Sequence, residues 1–408
     1  MSRSHWSPRR SKNAAVASGA RLALVVVVLV LPAIALAEPL RLRGDAYAET
    51  RSPVGLVVLH GEDRLHPGVD AETVTWLGIT DSPSPTGDVL TLSVRFRDLA
   101  TGSEVRAGRL LVSMGAVRPL QLDGARGLVR VFGGTTVEAF GGFPVARRFD
   151  YATFDWATGG RIGQAVGDVF AVGASYLQRR SNGRPADEEA GADVMLTPRP
   201  WLSAVGRAAF DLDSYGLTDV LASIGAHQRD LRGELFTTHR SPGRMLPSTS
   251  LFSVLGDFAS TNIGATGRWR AFPRLELLAT GSAQVQAANV GGQGVGRVTL
   301  SLDDDWDGTV GVEGRRVEVG DARWSGARFV GSLPISVRVR VSTELELVVP
   351  DHPNGRSWLW PWALGAVSYR FGKAWDVAAG LEASSGPEQK ATLAGLTRLS
   401  FAFDRLER

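Results

Sequence analysis

The sequence has no cysteine among its 408 residues. That excludes disulfides, thiolate-held zinc or iron–sulfur centres, a thiol nucleophile and an acylated N-terminal cysteine. It is also short of long apolar runs. Past residue 40 none approaches the ~18 residues that mark a membrane-spanning helix, and sustained 3.6-residue periodicity is hard to find. Charged residues make up 21% and hydrophobic ones 44%, which fits neither a disordered chain nor a multi-span helical membrane protein. The 48 glycines are scattered without a period, and a collagen-like repeat is excluded.

Residues 1–37 read as an export leader. Arg3, Arg9, Arg10, Lys12 and Arg21 make a basic head without an acid, Leu22–Leu31 is unbroken apolar sequence, and Ala35-Leu36-Ala37 is a small-x-small cleavage site. The apolar stretch is too short to span a bilayer as a helix. Cleavage would leave residues 38–408. The leader holds five of the 45 basic residues and none of the 42 acidic ones, so the remainder is slightly acidic. The high isoelectric point therefore belongs largely to the leader, and a nucleic-acid partner has no compositional support.

What recurs along the rest of the chain is a period of two. From Ile335 to Val349 the odd positions are Ile335, Val337, Val339, Val341, Thr343, Leu345, Leu347 and Val349; Arg338, Arg340, Glu344 and Glu346 fall between them. Alternate side chains of a strand point to opposite faces, so this is a ribbon with one oily and one ionic side. Arg274–Ala287 repeats the pattern, with Arg274 and Glu276 on the polar side. Leu90, Leu92, Val94 and Phe96 alternate with Arg95 and Arg97, and Ile263, Ala265 and Trp269 with Arg268 and Arg270. Turn-forming clusters such as Asp81-Ser82-Pro83-Ser84-Pro85 and Asp351-His352-Pro353-Asn354-Gly355 separate the runs. About 16–18 strands are expected.

A soluble sandwich or propeller also alternates. Three features favour a membrane barrel. Ile335–Val349, taken as one strand, is far longer than the ~5–6 residues usual in soluble sheets. Trp358, Trp360 and Trp362 share a face if extended, and tryptophan suits the membrane–water interface. The run Gly395–Phe403 alternates into Phe401 and Phe403 near the C-terminus, followed by Asp404-Arg405-Leu406-Glu407-Arg408. This resembles the closing strand that outer-membrane barrels present to their assembly machinery, apart from the polar tail. Over most of its length the chain resembles the bacterial outer-membrane β-barrel class.

That resemblance implies an all-β, antiparallel, up-and-down transmembrane barrel at residues 38–408, in the outer membrane of a Gram-negative bacterium. The expected partners are outer-membrane lipid, the barrel-assembly machinery and envelope export components. If the oily face meets lipid, Arg95, Arg97, Arg268, Arg270, Arg274, Glu276, Arg338, Arg340, Glu344 and Glu346 line the lumen, and Trp358, Trp360 and Trp362 sit at the interface. Charges of both signs belong in water or in mutual pairs. A barrel this wide with such a lining is expected to be a porin-like or export conduit without catalytic activity. The porin domains of polysaccharide-export systems have a similar look, and the arginines suit anionic or polyhydroxylated cargo. The alternatives are a non-conducting scaffold or adhesion component and, third, a barrel lipid hydrolase.

Ala107–Phe149 alternates poorly and carries Gly133-Gly134 and Gly141-Gly142. Irregular strands, a loop folded into the lumen and an external loop all fit it. His239-Arg240-Ser241 resembles the His-x-Ser pair of barrel lipid A deacylases, but Pro242-Gly243 puts it at a turn. No HExxH, GxSxG or phosphate-binding loop is present, and no cofactor is expected. Asp303-Asp304-Asp305-Trp306-Asp307-Gly308 has the spacing of a calcium loop without its closing acid, and reads better as a polar hairpin turn.

Overall fold

A chain that alternates apolar and polar side chains can bury its backbone hydrogen bonds only by pairing strand with strand. The computed structural model describes residues 40–404 except 52–53, 80–84, 146–154, 182, 242–258, 287–288, 321, 354–357 and 387–390. In it that pairing runs to 22 strands, numbered β1–β22 in chain order, from β1 (Leu40–Glu49) to β22 (Thr392–Asp404). The leader and residues 405–408 lie outside the described residues.

Each strand is antiparallel to its neighbours in sequence. The last returns to the first, with Arg41 opposite Asp404 and Glu49 opposite Leu396. The sheet is a closed up-and-down barrel, so no edge is left to pair elsewhere. At strand spacings of ~4.8 Å and tilts of ~40°, 22 strands enclose a backbone cylinder roughly 40 Å across.

The expected 16–18 strands are thus an undercount by four to six, because turns as short as Pro67-Gly68 between β2 (Gly55–His66) and β3 (Val69–Ile79) leave room for more. The long strand Ile335–Val349 is also corrected. Ile335–Arg338 is the turn between β18 (Ala322–Pro334) and β19 (Val339–Pro350). There the Ile335 N–H donates to the Val339 carbonyl (2.9 Å) and the Ser336 hydroxyl accepts from the Arg338 and Val339 N–H groups. The turn contains no glycine or proline and keeps the phase of the strand after it, so alternation ran straight through it.

The two ends differ. The end that holds Leu40 and Asp404 has connections of two to seven residues; the opposite end has connections of 11 residues (145–155) and 19 residues (241–259). Outer-membrane barrels share this asymmetry, with short turns on the periplasmic side.

Cross-strand register carries each face around the barrel, shifting at bulges such as Leu196/Arg199 and Ala209/Phe210. One face presents Leu235, Ile263, Leu381 and Leu393, each 59–69% exposed. Leaving such side chains in water forgoes about 1.5–3 kcal/mol each, and a whole belt of them calls for lipid. Trp269, Tyr369, Trp375 and Phe403 stand on this face near the short turns, and Phe143, Trp156, Tyr176 and Phe210 near the longer loops. They form two aromatic girdles.

The closing seam is packed on the same face. Phe401 covers Gly44, its cross-strand partner, and packs with Leu42 and Val57. Its ring centroid lies 5.2 Å from that of Trp375. A side chain at residue 44 would occupy the space of the Phe401 ring, which is why a glycine sits there. Phe401→Ala should cost at most about 3 kcal/mol, since lipid tails fill part of the space. Heat-modifiable gel mobility should show its barrel unfolding at a lower temperature than the wild type, with Phe401→Leu between them.

Candidate functional site

The opposite face points into the barrel, and most ionic side chains of the strands are on it, Arg109 with Asp123 and Arg316 with Glu318 being among those on the outer face. Arg95 of β4 (Thr86–Arg97) pairs with Asp70 at 2.5 Å, and Arg106 of β5 (Glu104–Val112) with Glu72. Arg126 of β6 (Leu120–Arg130) pairs with Glu138 of β7 (Thr135–Pro144) at 2.6 Å. Arg161 of β8 (Trp156–Val166) meets Asp193 of β10 (Arg184–Arg199), also at 2.6 Å. Farther round, Arg328 pairs with Glu344 at 2.5 Å, Arg315 of β17 (Thr309–Val319) with Glu346 at 3.4 Å, and Arg398 with Asp376 at 3.2 Å. Glu313, 2% exposed, is held between Arg297 and Arg315. Most of these pairs are partly exposed, and one such pair contributes only about 0–1 kcal/mol. Their combined effect is an inner wall of alternating sign.

One arc is different. On β5–β9 the inward positions Leu110, Val112, Leu120, Leu122, Phe140, Ala157 and Leu177 are apolar, and Met114 and Val117 from the β5–β6 loop cover them. That loop, residues 113–119, leaves the wall and crosses to β10. The Arg118 N–H donates to Glu189 Oε2 (3.1 Å) and its Nε to Oε1 (3.2 Å), while its guanidinium lies 3.3 Å from Asp187. Arg179 pairs with the same Asp187. A Cβ on Gly115 (φ +52°) would strike Asp193 and Arg161, so only glycine lets the loop lie this close to the inner wall. Glu189 is 1% exposed beneath it. Of the three readings of the 107–149 region, two hold in part: it forms strands, and one loop folds inward. The signal was an apolar turn, Met114 and Val117, where a water-exposed loop would be polar.

The expected lumen residues divide. Arg95, Arg97, Arg268, Arg270, Glu276, Arg340, Glu344 and Glu346 occupy inward strand positions, Arg97 and Arg340 at strand ends; Arg97 meets Glu104 at 3.4 Å. Arg274 and Arg338 lie in short turns instead. Arg274 reaches Asp304 at 2.8 Å. Arg338 belongs to the turn that the long-strand reading overran. The tryptophan triplet is corrected as well. Trp358 precedes β20 (Trp360–Phe371), whereas Trp360 and Trp362 pair with Val348 and Glu346 on the inward face, and the Trp362 indole donates to Glu382 (2.9 Å). That stretch is apolar on both faces, so its period could not say which side turns in; register with β19 decides it.

The aspartate-rich turn 302–308 uses its carboxylates internally. Asp303 accepts the N–H groups of Gly308 (2.6 Å) and Asp307 (2.9 Å), which hold it below the usual carboxylate range. Asp307 pairs with Arg340 and Asp304 with Arg274. His239, at an outward position on β13 (Leu231–Arg240), places Nδ1 2.9 Å from the Thr261 hydroxyl, and the Ser241 N–H donates to the Thr218 carbonyl.

No family model and no curated protein matches the chain. Solved structures do, each over 90% of its length. The translocation pore of the P pilus usher PapC is similar with a TM-score of 0.50 and 7% identity, over 99% of that chain. The siderophore receptor PirA from Pseudomonas aeruginosa gives 0.58 and 10%, over 81% of its chain. A mutant of the ferric enterobactin receptor PfeA from the same organism gives 0.59 and 7%, also over 81%. At these identities the likeness is one of fold: the chain is a closed, antiparallel, 22-stranded barrel of the outer-membrane type.

Proposed function

We propose that the chain forms a water-filled conduit for polar solutes across the outer membrane of a Gram-negative bacterium. The observation that carries this reading is the inner wall, where ion pairs circle a bore too wide for side chains to fill. Charged groups there stay partly exposed and need water beside them. Among the similar structures, the PapC barrel is described as a translocation pore, which supports passage, while PirA and PfeA are receptors. The cargo we favour is a secreted polysaccharide, because alternating arginines and carboxylates offer donors and acceptors to hydroxyl groups. On this reading the chain does no catalysis. Lipid surrounds the aromatic girdles, the assembly machinery takes the C-terminal strand, and envelope export components deliver cargo from the periplasm. A second reading, a non-conducting scaffold, is favoured by one observation: the 113–119 loop and the apolar side chains beneath it narrow the bore.

The purified protein in planar bilayers should give steady ohmic currents. Neutralising Glu344 and Glu346 to glutamine should move the reversal potential in a salt gradient toward anion preference. An electrically silent folded barrel would overturn the conduit in favour of the scaffold.

Arg118→Ala should loosen the inner loop from β10. It takes the guanidinium away from Glu189 and Asp187 and leaves only the backbone N–H bond to Glu189, so stability should fall by about 3 kcal/mol, read by heat-modifiable mobility, while single-channel conductance rises. An unchanged conductance would show that this loop does not limit flow.

A further inference from the structure

Round most of the bore inward arginines pair with carboxylates, some of them shared, as Asp70 is between Arg64 and Arg95. Even where three arginines stand opposite one another, as Arg95, Arg106 and Arg126 do on adjacent strands, Asp70, Glu72 and Glu138 neutralise them one by one. Single inward arginines such as Arg43 and Arg370 form no ion pair among the described residues, but one place gathers several of them. At the short-turn end, between β12 (Gly216–Gln228), β13, β14 (Ser260–Phe272) and β15 (Leu275–Gln286), Arg232 stands directly opposite Arg268, and His227 opposite Arg232. Like charges in direct cross-strand register are destabilising. Only Arg268 has a carboxylate, Glu276 at 2.6 Å. Among the described residues no carboxylate lies within ion-pair distance of Arg229, Arg232 or Arg270. Glu234, the next inward residue of β13, forms no ion pair either.

These side chains line a cavity of about 120 Å³ bounded by Arg229, Asp230, Arg232, Arg268, Arg270 and Glu276, four cations against two anions. Two further features hold the excess charge there. Arg270 lies over the ring of Trp306, 5.1 Å from its centroid, a stacking contact that leaves the edge of its guanidinium available. Arg229 adopts φ +48° in the two-residue turn before β13, a conformation that asparagine or glycine takes with less strain.

We propose that this cavity is an oxyanion-binding station at the short-turn mouth of the bore, taking the phosphate or carboxylate group of a small anionic solute. Guanidinium groups match such oxygens with paired N–H donors, and a bound anion would relieve the Arg232–Arg268 repulsion. The site stands on its own geometry; its part in transport rests on the conduit reading.

Equilibrium dialysis of the full detergent-solubilised barrel against inorganic phosphate, with acetate at equal ionic strength as a second arm, tests the site. One saturable phosphate or acetate site per chain is expected, weakening about tenfold in the double variant Arg232→Gln/Arg270→Gln and on raising the salt. Arg43→Gln, which alters an inward arginine on β1, should leave it unchanged, and heat-modifiable mobility should show both variants folded. Stronger phosphate binding assigns a phosphorylated solute; stronger acetate binding assigns a carboxylate. Absent binding, or equal binding by the double variant, overturns the site even if the bilayer currents are normal. Binding by a barrel that carries no current keeps the site and removes the conduit instead.

Discussion

A peptide N–H or C=O facing hydrocarbon must find a partner within the protein, because no water is there to replace it and each orphan costs several kcal/mol. That requirement shapes this molecule more than any side chain does. It is met when β22 closes on β1, since an open sheet would leave two rows of unpaired groups facing lipid. The packing of Phe401 over Gly44 is local support for that closure. The outward girdles and apolar belt follow from the same solvent, which rewards hydrocarbon on the outer surface and an aromatic ring with a polar edge at each interface.

Inside the barrel the solvent is different, and so is the logic. Most of the ion pairs are too exposed to hold the fold together, and they line the inner wall with charges of alternating sign. The exceptions are the informative parts. Where inward residues are apolar, on β5–β9, a loop folds in to cover them and is held by a buried pair, Arg118 with Glu189. Where inward arginines outnumber carboxylates, around Arg232 and Arg270, a small cavity keeps an unbalanced charge. One arc of the inner wall is apolar and covered by a loop, and another is cationic.

Much of this was legible beforehand. The two faces of β4, β14, β15, β19 and β21 (Trp375–Ser384) could be read from alternation because each keeps apolar side chains on one parity. Alternation failed in two kinds of place. It overran the Ile335–Arg338 turn, which stays in phase and contains no glycine or proline. It was mute along Trp360–Ala366, where both faces are apolar, so the inward direction of Trp362 became visible only through its pairing with Glu346. Most of the charged partners were missed for a related reason. Asp70, Glu138, Asp193 and Arg328 lie in runs too interrupted by glycine and small residues to show a period, although each sits at the right register for its arginine.

From the sequence alone came the ribbon character of the chain, its expected place in a membrane and the identity of the oily face, because a period of two is a local property that each strand expresses separately. Strand number, the inward loop, the pairing of each arginine and the uncompensated cluster belong to the closed barrel. Those depend on which residue stands beside which across strands that are dozens of positions apart, and no local period encodes that distance.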